Sequence, residues 1–238
     1  MNIFCDDIIK QLHSEGVDLS YKLKGEGDDL ILTFPGVGMP NRYFEQFCKD
    51  LEGRYKLLHF SLECFKEMKA SRFEELWNQL LLELIKTIKP KKIHSLAFSI
   101  GARWLFYSHV KFESSVLIAP DGIVEHPVYK AVVRASLGKQ IFRFLAPMIF
   151  LFLPKKLRRQ IPSVKSLYFE WKLLMRNKFN EFSSNQMLVL LADKDIFICS
   201  NKIDQLVGYK ESVRVVRHRV NHFYLAKCSK KEAIEIFK

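Results

Sequence analysis

Seven short runs rich in large apolar and β-branched residues recur along the chain, with longer segments of helical period between them. No other feature restricts the fold as much. Strands joined by crossover helices lie parallel, in a sheet that carries helices on its faces. The runs are Tyr21–Lys24, Leu30–Phe34, Tyr55–Phe60, Ile93–Phe98, Ser115–Ala119, Met187–Ala192 and Val213–Arg217. The last four are nearly all apolar, as strands covered on both sides are. Between the runs, Arg72 to Lys89 places Phe73, Leu76, Trp77, Leu80, Leu84 and Ile85 at three-and-four spacing, and Pro90 ends that helix. A second helix begins at Gly101 and carries Trp104, Leu105 and Tyr107. Ser229, with Glu232 three residues on, has the form of a capping box for a closing helix. The expected class is α/β, a mostly parallel sheet with flanking helices.

One segment breaks the rhythm. From 125 to 178 no strand-like run appears, so the chain divides into a core of 1–124 and 179–238 and a basic helical insertion of 125–178. Residues 126–178 hold twelve Lys or Arg and one acid, Glu170, so eleven of the twelve net positive charges lie there. Charge of that size speaks of partners and not of fold. It implies an anionic partner: an acidic protein, a membrane surface or nucleic acid. The longest apolar run, Phe144 to Leu153, is interrupted by Pro147 and falls short of the about 20 residues a membrane span needs.

Cys5, Cys48, Cys64, Cys199 and Cys228 are odd in number and match neither a disulfide framework nor a zinc motif. Scattered free thiols fit a reducing compartment. The first residues show no basic stretch followed by an apolar core, so no secretory signal is read and the cytoplasm is the expected location. His13, His59, His94, His109 and His126 pair with no Cys or acid at metal spacing. Neither metal nor other cofactor is expected.

Lys92-Ile93-His94-Ser95-Leu96-Ala97-Phe98-Ser99-Ile100-Gly101-Ala102 is an apolar strand, a serine among small residues, then a helix. It is a variant of the G-x-S-x-G nucleophile elbow with Ala97 at the first Gly position. A sharp strand-to-helix turn needs small neighbours two residues from the serine, and it sets the hydroxyl beside free N–H groups at the helix start. Upstream, Leu30 to Phe34 leads into the loop Pro35-Gly36-Val37-Gly38. Downstream, Leu188 to Ala192 ends in Asp193-Lys194-Asp195, and Val213 to Val216 precedes Asn221-His222-Phe223.

Glycine loop, serine, acid and histidine in that order resemble the α/β-hydrolases, over residues 20–123 and 180–238. The resemblance implies a catalytic triad of Ser99, Asp195 and His222, with Val37 N–H and Ile100 N–H as the oxyanion hole. Asp193 competes with Asp195 and His218 with His222; the family's spacing favours Asp195, and the apolar turn Phe223-Tyr224-Leu225 favours His222. Cys64 and Cys199 lie on no elbow. Pro35 stands where the family commonly has His, and Phe60-Ser61-Leu62-Glu63-Cys64 stands where it has Asp-x-x-Gly-x-Gly. The insertion falls where members carry a helical lid. Its apolar part can line an acyl pocket, while Lys155, Lys156, Arg158 and Arg159 can face the anionic partner. The implied activity is a serine carboxylesterase or acyl thioesterase, similar to the pimeloyl-carrier methyl esterases. The expected partner is an acidic acyl carrier protein, slightly ahead of an anionic membrane surface; nucleic acid is not expected, since no reading module is present.

Overall fold

The computed structural model describes residues 3–36, 47–124, 164–174, 178–179, 182–195, 198, 202–203, 212–228 and 230–237. Their elements run α1 (Ile3–Glu15), β1 (Val17–Lys24), β2 (Asp29–Phe34), a 3-10 turn (Lys49–Leu51), β3 (Tyr55–Cys64), α2 (Ala70–Ile88), β4 (Ile93–Phe98), α3 (Gly101–Phe106), β5 (Phe112–Ile118), α4 (Val164–Leu173), β6 (Ser184–Ala192), β7 (Val213–His218), α5 (His222–Cys228) and α6 (Lys230–Glu235). The seven strands form one sheet in the order β1-β3-β2-β4-β5-β6-β7. Only β1 is antiparallel, paired to β3 from Val17↔Cys64 to Lys24↔Leu57; every other neighbour is parallel.

Each expected strand is present, and two of the readings need correction. The strand read as ending at Phe60 runs on to Cys64 as β3, because β1 offers these residues an antiparallel partner across its full length. Val213–His218 is not covered on both faces. Among the described residues it is the edge strand, bonded only to β6, and none of its residues is fully buried. The central strands do have the buried pattern, with five buried residues of six in β4 and six of seven in β5. α1 was not anticipated; it packs on β1 and α2.

Helix α2 buries Phe73, Leu76, Trp77, Leu80, Leu81 and Leu84 on one stripe. Each such side chain is worth about 1.5–3 kcal/mol when taken out of water. Lys89 then turns left-handed at φ 51° and its N–H bonds Ile85 O, a C-terminal cap immediately before Pro90. The stripe meets the sheet through stacked Phe34 and Phe60, 5.2 Å apart, with Trp77 set edge-on to both. Phe73 continues the aromatic layer to Trp104 of α3 and to Tyr107. Buried Asn78 stitches α2 to the end of α3: its amide donates to Glu74 O and Tyr107 O and accepts from His109 N. On the other sheet face, Tyr55 and His94 pack against Phe237, and the Tyr55 hydroxyl donates to Phe237 O. Among the described residues no helix is long and apolar enough to cross a membrane.

Candidate active site

β4 ends at Phe98 and α3 begins at Gly101, which leaves two residues to turn the chain. Ser99 takes the strain at φ 52°, a left-handed conformation that costs a non-glycine residue roughly 1–2 kcal/mol. Its backbone is held from two sides: Ser99 N donates to Ile118 O at 2.9 Å, and Ser99 O accepts from Ala102 N and Asp121 N, each at 3.0 Å. Gly101 is required by contact, since a Cβ there would lie 2.3 Å from Phe34 O. Gly36 is required likewise, because its Cβ would meet the Phe98 ring at 2.5 Å and Ser99 Cβ at 3.1 Å. The loop after β2 therefore passes directly against the serine. Ala97 sits in regular register between Phe34 and Leu117, fully buried. Ile100 follows Ser99 as the first residue before α3, where the N–H groups of a helix start have no intrahelical acceptor.

The acid and the base come from the ends of β6 and β7. Asp195 follows β6, and its Oδ1 accepts from Ile198 N at 3.0 Å. His222 opens α5 with Nδ1 2.7 Å from Asp195 Oδ2 and Nε2 3.1 Å from Ser99 Oγ. Both side chains are sealed, His222 to 6% and Asp195 to 1% exposure. An ionised carboxylate only accepts, so Nδ1 carries the proton and Nε2 is free to accept from the serine hydroxyl. Phe98 lies against the imidazole, ring centroids 5.1 Å apart. Ser99, His222 and Asp195 thus form one continuous line of hydrogen bonds.

The competing residues stand elsewhere. Asp193 faces Arg217 at 3.3 Å and is 39% exposed. His218 Nε2 lies 3.7 Å from Glu232. Cys64 is buried on β3, where burial pushes its thiol up. Buried His94 shares a hydrogen bond with Ser114 Oγ, and burial holds its basicity below the usual value; buried His59 meets Thr33 Oγ1. His13 and His109 lie against Asp18 and Glu74. Among the described residues no group of three or more His, Cys, Asp or Glu could hold a metal ion. Val37, Cys199, His126, Ser229 and the basic cluster Lys155, Lys156, Arg158 and Arg159 lie outside the described residues, with most of the insertion.

The sequence reading passes over a buried polar layer behind the serine. Arg103 grips Asp121 with two bonds, Nε to Oδ2 at 2.8 Å and Nη2 to Oδ1 at 3.1 Å, and Nη1 donates to Leu174 O at 2.6 Å. Trp104 Nε1 donates to Glu170 Oε1 at 2.7 Å, and Tyr107 hydroxyl to Leu173 O at 3.2 Å. The one acid of residues 126–178 is therefore buried against α3. The available signal was Arg103 itself, the lone charge in the apolar helix Gly101–Phe106.

No protein-family model and no curated protein sequence matches the chain. Solved structures do. An enol-lactonase from Burkholderia xenovorans superposes with a TM-score of 0.68 at 14% identity, covering 93% of this chain and 96% of that one. An esterase from Thermogutta terrifontis gives 0.64 at 14% identity over 93% and 92%. An alpha/beta hydrolase from Sphaerobacter thermophilus gives 0.63 at 15% over 94% and 98%. With its seven-stranded, mostly parallel sheet and flanking helices, the chain has the α/β-hydrolase fold.

Proposed function

We propose that the chain is a serine hydrolase that cleaves an acyl ester or thioester. The observation that carries this reading is the unbroken line from Ser99 Oγ through His222 to Asp195, with the serine on a strained turn. His222 Nε2 takes the hydroxyl proton as Ser99 Oγ bonds to the acyl carbon, and Asp195 stabilises the imidazolium. Ile100 N–H, with Val37 N–H from the loop at Gly36, receives the negative charge on the tetrahedral intermediate, a contribution of about 3–4 kcal/mol per donor. As that intermediate collapses, the bond to the leaving oxygen or sulfur breaks and the leaving group takes the proton from His222. Water, deprotonated by the same imidazole, then attacks the acyl-serine; the acid departs and Ser99 regains its proton. The esterase and the enol-lactonase among the similar structures favour an ester bond as the target.

A fluorophosphonate probe should label Ser99, and Ser99→Ala should abolish both labelling and hydrolysis of short p-nitrophenyl esters. An unlabelled, correctly folded protein would instead be a ligand-binding pseudo-hydrolase.

The finer reading concerns the acyl donor. Eleven of the twelve net charges fall in residues 126–178, in the stretch where α/β-hydrolases carry a lid over the active-site mouth. An acidic carrier protein delivering a tethered acyl group would dock there. Reversal of Lys155, Lys156, Arg158 and Arg159 to Glu should raise KM for an acyl-carrier ester and spare small soluble esters. The difference should shrink with salt, as the Debye length falls below roughly 8 Å. Loss of binding to anionic liposomes with carrier turnover unchanged would assign the cluster to a membrane surface instead.

A further inference from the structure

Arg103 has no part in the hydrogen-bonded line, yet its side chain is only 10% exposed and its ion-pair partner Asp121 only 11%. Burying two charges is costly even when they are paired, so the pair is weak evidence of a gain in stability. What the pair holds is visible in the backbone. Asp121 is the residue whose N–H bonds the carbonyl oxygen of Ser99 at 3.0 Å. The segment that presents it is bent twice out of ordinary conformations, at Ala119 with φ 44° and at Gly122 with φ 96°. Gly122 lies so near the arginine stem that a Cβ would stand 2.7 Å from Arg103 Cγ. The third guanidinium bond, to Leu174 O, ties the same side chain to the residue that follows α4.

We propose that the Arg103–Asp121 pair is a positioning device for the nucleophile: it clamps residues 119–122 beneath the turn, so that Asp121 N–H fixes the Ser99 carbonyl and with it the direction of the Ser99 hydroxyl and of Ile100 N–H. The inference rests on the nucleophile reading above and extends it to two residues that touch no substrate. A guanidinium suits the task because its fork fixes a carboxylate in two directions, which an ammonium does not. The bonds described for the pair run to Ser99 O and Leu174 O and not to the imidazole, so the pair governs the height of the barrier and not the protonation that gates it.

The test is the paired variant Arg103→Met/Asp121→Leu, which removes both charges and leaves neither unpaired. The rate of fluorophosphonate labelling at Ser99 and kcat for p-nitrophenyl butyrate should both fall about 10–100-fold, the scale of a misplaced reacting group. KM should stay within about twofold, as for loss of an interaction specific to the transition state. The pH limbs of kcat/KM and the thermal midpoint should hold near the parent's. Parental labelling and kcat in a folded paired variant would overturn the proposal. If the paired variant does not fold, Arg103→Lys carries the same test: a fall in kcat at constant KM supports the clamp, and an unchanged kcat overturns it. A parent that the probe does not label at Ser99, or hydrolysis that survives Ser99→Ala, removes the nucleophile reading and the clamp together. A labelled, Ser99-dependent parent with unaffected pair variants removes the clamp alone.

Discussion

Asp195 and Glu170 are both buried carboxyls within the layer around the β4–α3 turn, and the fold treats them differently. Asp195 accepts from a backbone N–H and from an imidazole that can carry a proton onward. Glu170 is held by a neutral indole, and burial pushes its carboxyl up to about 7; the Trp104 N–H opposes that rise, while the negative charges of Glu63 and Asp121 add to it. Burial, helped by two nearby negative charges, thus raises this carboxyl toward neutrality. A carboxyl that is to steady a cation needs donors aimed at it and a proton-exchanging partner in line.

The sharpest way to break this contrast is Asp195→Asn. The amide removes the charge that stabilises the imidazolium and lets the imidazole settle in the wrong tautomer, so kcat should fall by about 10⁴-fold. Steady-state kinetics on a p-nitrophenyl ester measure it, and a loss under tenfold would move the acid elsewhere.

Glu170→Gln has the next largest expected effect, on stability rather than rate. The folded carboxyl titrates near 7 and its ordinary value is 4.5, so the folded state binds the proton more tightly. Its stabilising contribution is complete below 4.5 and is lost as pH rises through 7, by about 3 kcal/mol in all. Glutamine keeps the acceptor for Trp104 without the ionisation, so urea melts of the variant should lose this dependence between pH 5 and 8. Parallel pH profiles for variant and parent would show that Glu170 is not the acid described.

Asp193→Asn supplies the small end of the scale. Its contact with Arg217 is solvent-exposed, so stability should change by less than about 1 kcal/mol and kcat by less than about twofold. A larger loss of activity here than at Asp195 would reverse their assignment.

The sheet was legible because its strands are buried runs of their own, visible without their neighbours. Where pairing decides, the sequence is silent. Nothing within Phe60 to Cys64 reveals that Val17 to Tyr21 will lie beside them and continue the strand. Val213, Val215 and Val216 read as interior, yet the edge position leaves them half-buried. The serine turn could be read because small residues at fixed offsets betray a backbone crowded by Phe34 and Pro35 carbonyls. Arg103 and Asp121, eighteen residues apart on different elements, carry no such offset. Their pairing follows from where the turn after β5 meets α3, a matter of tertiary placement alone.

The hydrogen bond from Ser99 to His222 spans 123 residues of chain, and that distance has a consequence in time. A chain growing on the ribosome completes the central strands and their bent serine long before α5 is made. Throughout that interval the hydroxyl has no base and stays an ordinary alcohol. Only when β7 has added to the outer side of β6 does α5 bring the imidazole to Ser99. Onset of probe labelling would therefore report completion of the whole sheet during synthesis, and no earlier stage of it.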